Sequence, residues 1–163
     1  MPNSLLIDTN LMILYVVGIT NINQITKHKR THSRLYTPED FHLLVNIMRR
    51  FDRYWVTSHV LAETSNLLRQ THNELSSQLT SNLVNIVDSN FKESHYDSSE
   101  LNLETNRADT ALFGVTDSGI LLKLNSVNNL ITDDVPLSVA AERDYANKVI
   151  RFSHERSQSW VMP

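Results

Sequence analysis

Two short apolar runs, Leu5-Leu6-Ile7 and Leu130-Ile131-Thr132, lead straight into acids: Asp8 after the first, Asp133-Asp134 after the second. A short continuous apolar run bounded by a polar turn suits a strand buried on both faces, the condition of strands in a parallel sheet. Parallel neighbours need long crossovers, usually helices, and the sequence between these runs offers them. Leu11 to Val17 is apolar throughout and reads as a short buried helix, with Gly18 expected at its C-cap. Residues 19–36 show no period and read as a long loop. Thr37, Pro38, Glu39 and Asp40 form a helix start, followed by Phe41, Leu44, Val45 and Met48 at helical spacing. Tyr54-Trp55-Val56-Thr57 reads as a strand, with Ser58 expected to cap a helix carrying Val60, Thr64, Leu67 and Thr71. Leu75, Leu79, Leu83, Ile86 and Val87 mark another helix. Residues 92–109 are polar and give no clear element. Asp117, Ile120, Leu121 and Leu124 share a helical face, Pro136 opens a small helix, and 148–152 reads as a last strand. Alternating strands and helices predict an α/β fold with a central, mostly parallel sheet flanked by helices. At 163 residues, one domain over 1–163 is expected.

Composition removes several kinds of chemistry. There is no cysteine, so disulfides, thiol nucleophiles and thiolate metal sites are excluded. The 15 Lys and Arg against 18 Asp and Glu leave a net charge of -3, so any surface for nucleic acid must be local. The first residues carry no basic leader, and no run reaches the roughly 18 apolar residues of a membrane span. A cytoplasmic protein without a membrane partner is expected.

Open parallel sheets bind ligands outside the carboxyl ends of their strands. Asp8 and Asp133-Asp134 fall at that rim, and Asp117, beginning a helix after Gly114, belongs beside it. Glu63 sits about 60° from Val60 on its helix, at the edge of the apolar stripe, where a partly buried carboxylate would lie. Each acid also has a plainer reading. Asp8 or Asn10 caps the first helix, Asp117 stabilises a helix start, Asp133-Asp134 forms a turn, and Glu63 is a solvated helix residue. Taken together they need a counter-charge, because two carboxylates ~4 Å apart repel by about 4 kcal/mol at an effective dielectric of about 20. No Lys or Arg adjoins them closely in sequence, although Lys123 could fold back. Hard oxygen donors without cysteine favour Mg²⁺ or Mn²⁺.

In order, Leu5-Leu6-Ile7-Asp8-Thr9-Asn10, the acid of Val60-Leu61-Ala62-Glu63, Thr116-Asp117-Ser118-Gly119-Ile120 and Thr132-Asp133-Asp134 resemble the four acidic blocks of PIN-domain nucleases. The resemblance implies that Asp8, Glu63, Asp117 and Asp134 are the catalytic, metal-binding acids, with Asn10 and Thr132 in support. Within the family's Thr-x-Asp pattern Asp134 is the match and Asp133 the variable position, and neighbours in an extended segment point oppositely. It further implies a Mg²⁺- or Mn²⁺-dependent ribonuclease that cleaves RNA by in-line attack of activated water. Many short members are toxins of the VapC type, which implies an antitoxin partner and a homodimer. The 19–36 stretch is long for a minimal member.

That stretch contains Lys27-His28-Lys29-Arg30-Thr31-His32-Ser33-Arg34, with no acid. Lys27, Lys29, Arg30 and Arg34 are candidate phosphate contacts that would offset the rim's repulsion of RNA; the alternative is a solvated loop. His28 and His32 lack a third ligand for zinc. Trp55 and Trp160 read as packing residues. A different class of function, a catalytically silent module binding RNA or a protein, is opposed by the presence of all four acids. Aspartyl phosphoryl transfer would need a second acid where Asn10 stands.

Overall fold

The computed structural model describes residues 2–127 and 129–160. Five parallel strands, β1 (Ser4–Ile7), β2 (Arg53–Thr57), β3 (Phe91–Ser94), β4 (Asn129–Thr132) and β5 (Val149–Arg151), form one sheet in the order β3-β2-β1-β4-β5. Nine α-helices are present among the described residues. They are α1 (Thr9–Thr20), α2 (Lys29–Ser33), α3 (Pro38–Met48), α4 (Ser58–Leu68), α5 (Asn73–Asn90), α6 (Ser98–Leu101), α7 (Glu104–Leu124), α8 (Val135–Tyr145) and α9 (Phe152–Ser159). The α/β architecture expected from the alternation is therefore the one observed, with every strand pair parallel. Among the described residues no helix is long and apolar enough to cross a membrane.

β1 is the central strand. Leu5, Leu6 and Ile7 are at most 1% exposed, which is why the run is apolar without alternation. Burying each such side chain contributes about 1.5–3 kcal/mol. From β1 the chain builds outward through β2 and β3, then returns to place β4 on β1's other side. The order of strands thus reverses between β1 and β4, the position where open sheets of this kind leave a crevice.

Several local expectations hold. Thr37 and Asp40 form a reciprocal capping box on α3, with Pro38 in its first turn. The buried face of α5 is Leu75, Leu79, Leu83, Ile86 and Val87, as the spacing predicts. Others are corrected. Gly18 lies inside α1, which continues to Thr20 and is capped by Asn21. Its Cβ position falls 2.2 Å from the Phe41 ring, so the glycine permits α3 to lie against α1 rather than ending the helix. Gly18→Ala should therefore cost about 1–3 kcal/mol by overpacking, read as a lower urea midpoint at unchanged m-value. An unchanged midpoint would mean that Phe41 moves aside freely.

The stretch 19–36 is not a loop throughout. It holds the end of α1, a short 3₁₀ turn (Ile22–Gln24) and α2. Thr57, not Ser58, caps α4, and Thr71 lies beyond that helix. The polar segment after 90 contains the edge strand β3 and α6. Trp55 is half-buried against the core, but Trp160 is 72% exposed and does not pack as expected.

Candidate active site

The register of β1 on β4 pairs Ile7 with Ile131, so the next residues, Asp8 and Thr132, stand side by side at the strands' carboxyl ends. Asp8 is 3% exposed and is the N-cap of α1. Its Oδ1 accepts from Leu11 N at 2.9 Å, and its Oδ2 accepts from Asp133 N at 2.9 Å and from Thr132 Oγ1. Burial pushes the Asp8 carboxyl up to about 6, against the pull of those three hydrogen bonds. A carboxylate offers roughly four lone-pair sites, so three donors leave capacity on Oδ1.

Thr132 is buried and also accepts from Asp134 N at 3.0 Å. Asp134 in turn caps α8, its Oδ1 accepting from Leu137 N at 2.8 Å. Asp133 faces another way: its Oδ2 accepts from the Tyr36 hydroxyl at 2.6 Å and pairs with Arg34 at 3.8 Å. The opposite pointing of these adjacent acids is what an extended segment imposes.

Glu63 lies in the second turn of α4, which Thr57 caps, and is exposed rather than partly buried as expected. Its Oε2 accepts from Thr9 Oγ1 at 3.2 Å, which ties α4 to the start of α1. Asp117 follows a break in α7 at Gly114, whose φ of 81° and ψ of 179° are open to glycine and unfavourable for other residues. The helix restarts there, so Asp117 sits in a fresh first turn. Its carboxyl is pushed up to about 6 by burial, then by the charges of Asp134, Asp8 and Glu63.

All four acids line one cleft of about 320 Å³, together with Thr9, Asn10, Leu67, Leu137, Arg30 and Arg34. Among the described residues no three acidic or imidazole side chains are drawn together tightly enough to grip an ion as they lie. The acids surround the cleft instead of closing on a point. The donor set nonetheless fits a hard divalent cation. The donors are oxygens, the Asp117 carboxyl is raised by burial and then by the charges of the other three, and among the described residues the basic side chains lining the cleft are Arg30 and Arg34. Lys123 does not fold back onto the acids; it pairs with Glu100 at 3.8 Å.

The basic segment divides. Arg30 and Arg34 are half-buried on the cleft wall, whereas Lys27 and Lys29 are exposed and do not line it. His28 is buried, with Nδ1 accepting from Arg30 N at 3.3 Å and Nε2 3.2 Å from Leu68 O. It anchors α2 to the end of α4 and has no nitrogen left for a metal. Arg30 Nε donates to Gln70 Oε1 at 3.0 Å.

Sequence reasoning assigned no role to Thr9, Tyr36 or Tyr96. Tyr96 fills the space beside Gly119, stacks on His59 at 4.5 Å and donates to Val115 O at 3.0 Å. Burial raises its hydroxyl pKa, as do the charges of Asp117 and Glu63. Only Thr9, adjoining Asp8, carried a local signal.

Fold and site together define an α/β protein with an acid-lined crevice at the reversal point of a parallel sheet. The chain matches no family model, no curated protein and no solved structure.

Proposed function

We propose that the protein is a Mg²⁺- or Mn²⁺-dependent endoribonuclease of PIN-like design. The observation that carries this reading is the convergence of Asp8, Glu63, Asp117 and Asp134, from four separate elements, on one cleft at the carboxyl ends of the strands. Asp8, Glu63, Asp117 and Asp134 would hold the cation. Thr132 and the Asp133 N–H fix the orientation of Asp8. When bound, the cation supplies neutralisation of the phosphodiester's developing charge and brings the pKa of water toward neutrality. Hydrolysis there would form the new P–O bond from a water oxygen as the bond to the leaving oxygen breaks, one proton leaving the water and one joining the leaving oxygen, so no side chain need act as nucleophile. Arg30 and Arg34, on the same wall, take neighbouring phosphates of the strand, with Lys27 and Lys29 on the exposed flank. A toxin role, with an antitoxin partner and a homodimer, belongs to the same proposal; co-purification with the product of an adjacent small reading frame tests it.

One observation favours a second reading, a catalytically silent module that binds RNA or a protein. Asp8 already satisfies three donors and caps α1, a structural duty that needs no metal. Cleavage of labelled RNA in EDTA and after restoring Mg²⁺ or Mn²⁺ separates the two. The nuclease reading expects no cleavage with chelator and full recovery with metal. Undiminished cleavage in EDTA overturns the metal-dependent reading, and metal-independent binding without cleavage favours the silent module.

A further inference from the structure

The segment that carries Arg34 is held from behind by the last helix. Leu35 has a φ of 56°, a left-handed conformation uncommon for a residue with a side chain, and its side chain is 75% exposed, so no burial offsets the strain. Two backbone bonds close this turn at the end of α2, Leu35 N donating to His32 O at 2.9 Å and Tyr36 N to Thr31 O at 3.0 Å. Arg156 of α9 takes the carbonyl they leave free. Nη2 donates to Leu35 O at 3.0 Å and to Asp40 Oδ2 at 2.9 Å, while Nε donates to Asp40 Oδ1 at 2.8 Å. Asp40 is itself fixed: it is 2% exposed, and its Oδ2 also accepts from Thr37 N at 2.9 Å. The Arg156 guanidinium lies 5.4 Å from the centre of the Tyr36 ring. On the far side, Tyr36 donates its hydroxyl to Asp133, and Arg34 Nη1 donates to Asp133 O at 3.3 Å. Arg34 and Tyr36 thus converge on Asp133 from either side of the strained residue, and Arg156 grips the residue between them.

We infer that Arg156 is a positioning residue, bracing against α3 and α9 the turn at Leu35 that presents Arg34 to the cleft. This rests on the nuclease reading, in which Arg34 meets substrate phosphate. Without Arg156 nothing among the described residues grips the Leu35 carbonyl. The two backbone bonds then hold the turn alone, Tyr36 loses the guanidinium against its ring, and Arg34 and Tyr36 are held less firmly on Asp133. A lysine cannot substitute, because one ammonium does not reproduce the planar fork that bridges Asp40 and Leu35.

The test is a double-mutant cycle in an Asp117→Asn background, with a fluorescein-labelled single-stranded RNA titrated across a salt series. Arg34→Ala and Arg156→Gln should each weaken binding by about three- to tenfold, and each should flatten the log–log salt slope by roughly 0.7. The double variant should be no weaker than either alone. In the active protein Arg156→Gln and Arg156→Lys should raise KM with kcat unchanged. Losses that multiply in the double variant overturn the inference, as does unchanged binding by Arg156→Gln where Arg34→Ala is weakened. Unchanged binding by Arg34→Ala also overturns it, while metal-restored cleavage by the wild type still judges the nuclease reading separately. If Arg156→Gln melts at assay temperature, Arg156→Lys replaces it in the same cycle. That variant keeps a positive charge beside Asp40 and loses the fork that reaches Leu35 O, and losses that multiply with Arg34→Ala would again overturn the inference.

Discussion

Asp117→Asn is expected to lower RNA cleavage by at least about 100-fold and, in the same preparation, to raise the melting temperature. The first effect follows from the nuclease reading, in which Asp117 would hold the metal, since even outer-shell partners cost about 10–100-fold. The second follows from the charge it removes. Burial and three neighbouring carboxylates raise Asp117 from 3.8 to about 6, so the folded protein resists its ionisation. The relief is on the order of 1–2 kcal/mol near pH 7 for this partly exposed group, or a few degrees. The sign with pH is fixed. A carboxyl whose folded pKa is raised contributes stability fully present below 3.8 and lost as pH rises through about 6. The advantage of Asp117→Asn in EDTA should therefore vanish below about pH 4 and reach its full size above about pH 7. Asp8→Asn should be equally inactive but melt below Asp117→Asn. An amide cannot accept from both Leu11 N on one side and the Thr132–Asp133 donors on the other, so one buried donor is orphaned at about 1–3 kcal/mol. Melting scans of the three proteins across pH decide it. A destabilised Asp117→Asn would show that the four acids do not repel one another.

Asp134→Ala and Asp133→Ala should part company as sharply. Asp134 lines the cleft and caps α8, so its loss should remove at least about 100-fold of cleavage and about 1 kcal/mol of stability. Asp133→Ala keeps the backbone N–H on Asp8 and the carbonyl that Arg34 donates to. It loses the Tyr36 and Arg34 contacts of its carboxylate. Its kcat should hold within a few-fold and its KM should rise, read from steady-state cleavage of a short RNA. An inactive Asp133→Ala beside an active Asp134→Ala would reverse the assignment of the two.

Three of the four acids were legible because they sit where local sequence already marks an end: Asp8 and Asp134 close strands, and Asp117 restarts a helix after a glycine, whereas Glu63 lies inside α4 and its exposure was not foreseen. The central strands were legible for the same reason, being apolar on both faces. β3 was not. Phe91-Lys92-Glu93-Ser94 buries only its first residue at the sheet edge, so neither a continuous apolar run nor a clean alternation survives. Gly18 was misread because the Phe41 ring that requires it lies on another helix. Arg156, Tyr36 and Tyr96 act through partners far along the chain, and spacing alone carries no trace of such contacts.

The pairing of β1 with β4 also sets a clock on synthesis. Asp8 and Thr132 are 124 residues apart, and at roughly 5–20 residues per second a ribosome takes about 6–25 s to travel between them. Until β4 has emerged and docked, Asp8 has neither the Thr132 hydroxyl nor the Asp133 N–H, and Asp134 is not beside it. The nascent chain therefore carries its first acid long before it has a cleft. Whatever chemistry the cleft performs is withheld from the message being translated until most of the protein has left the tunnel.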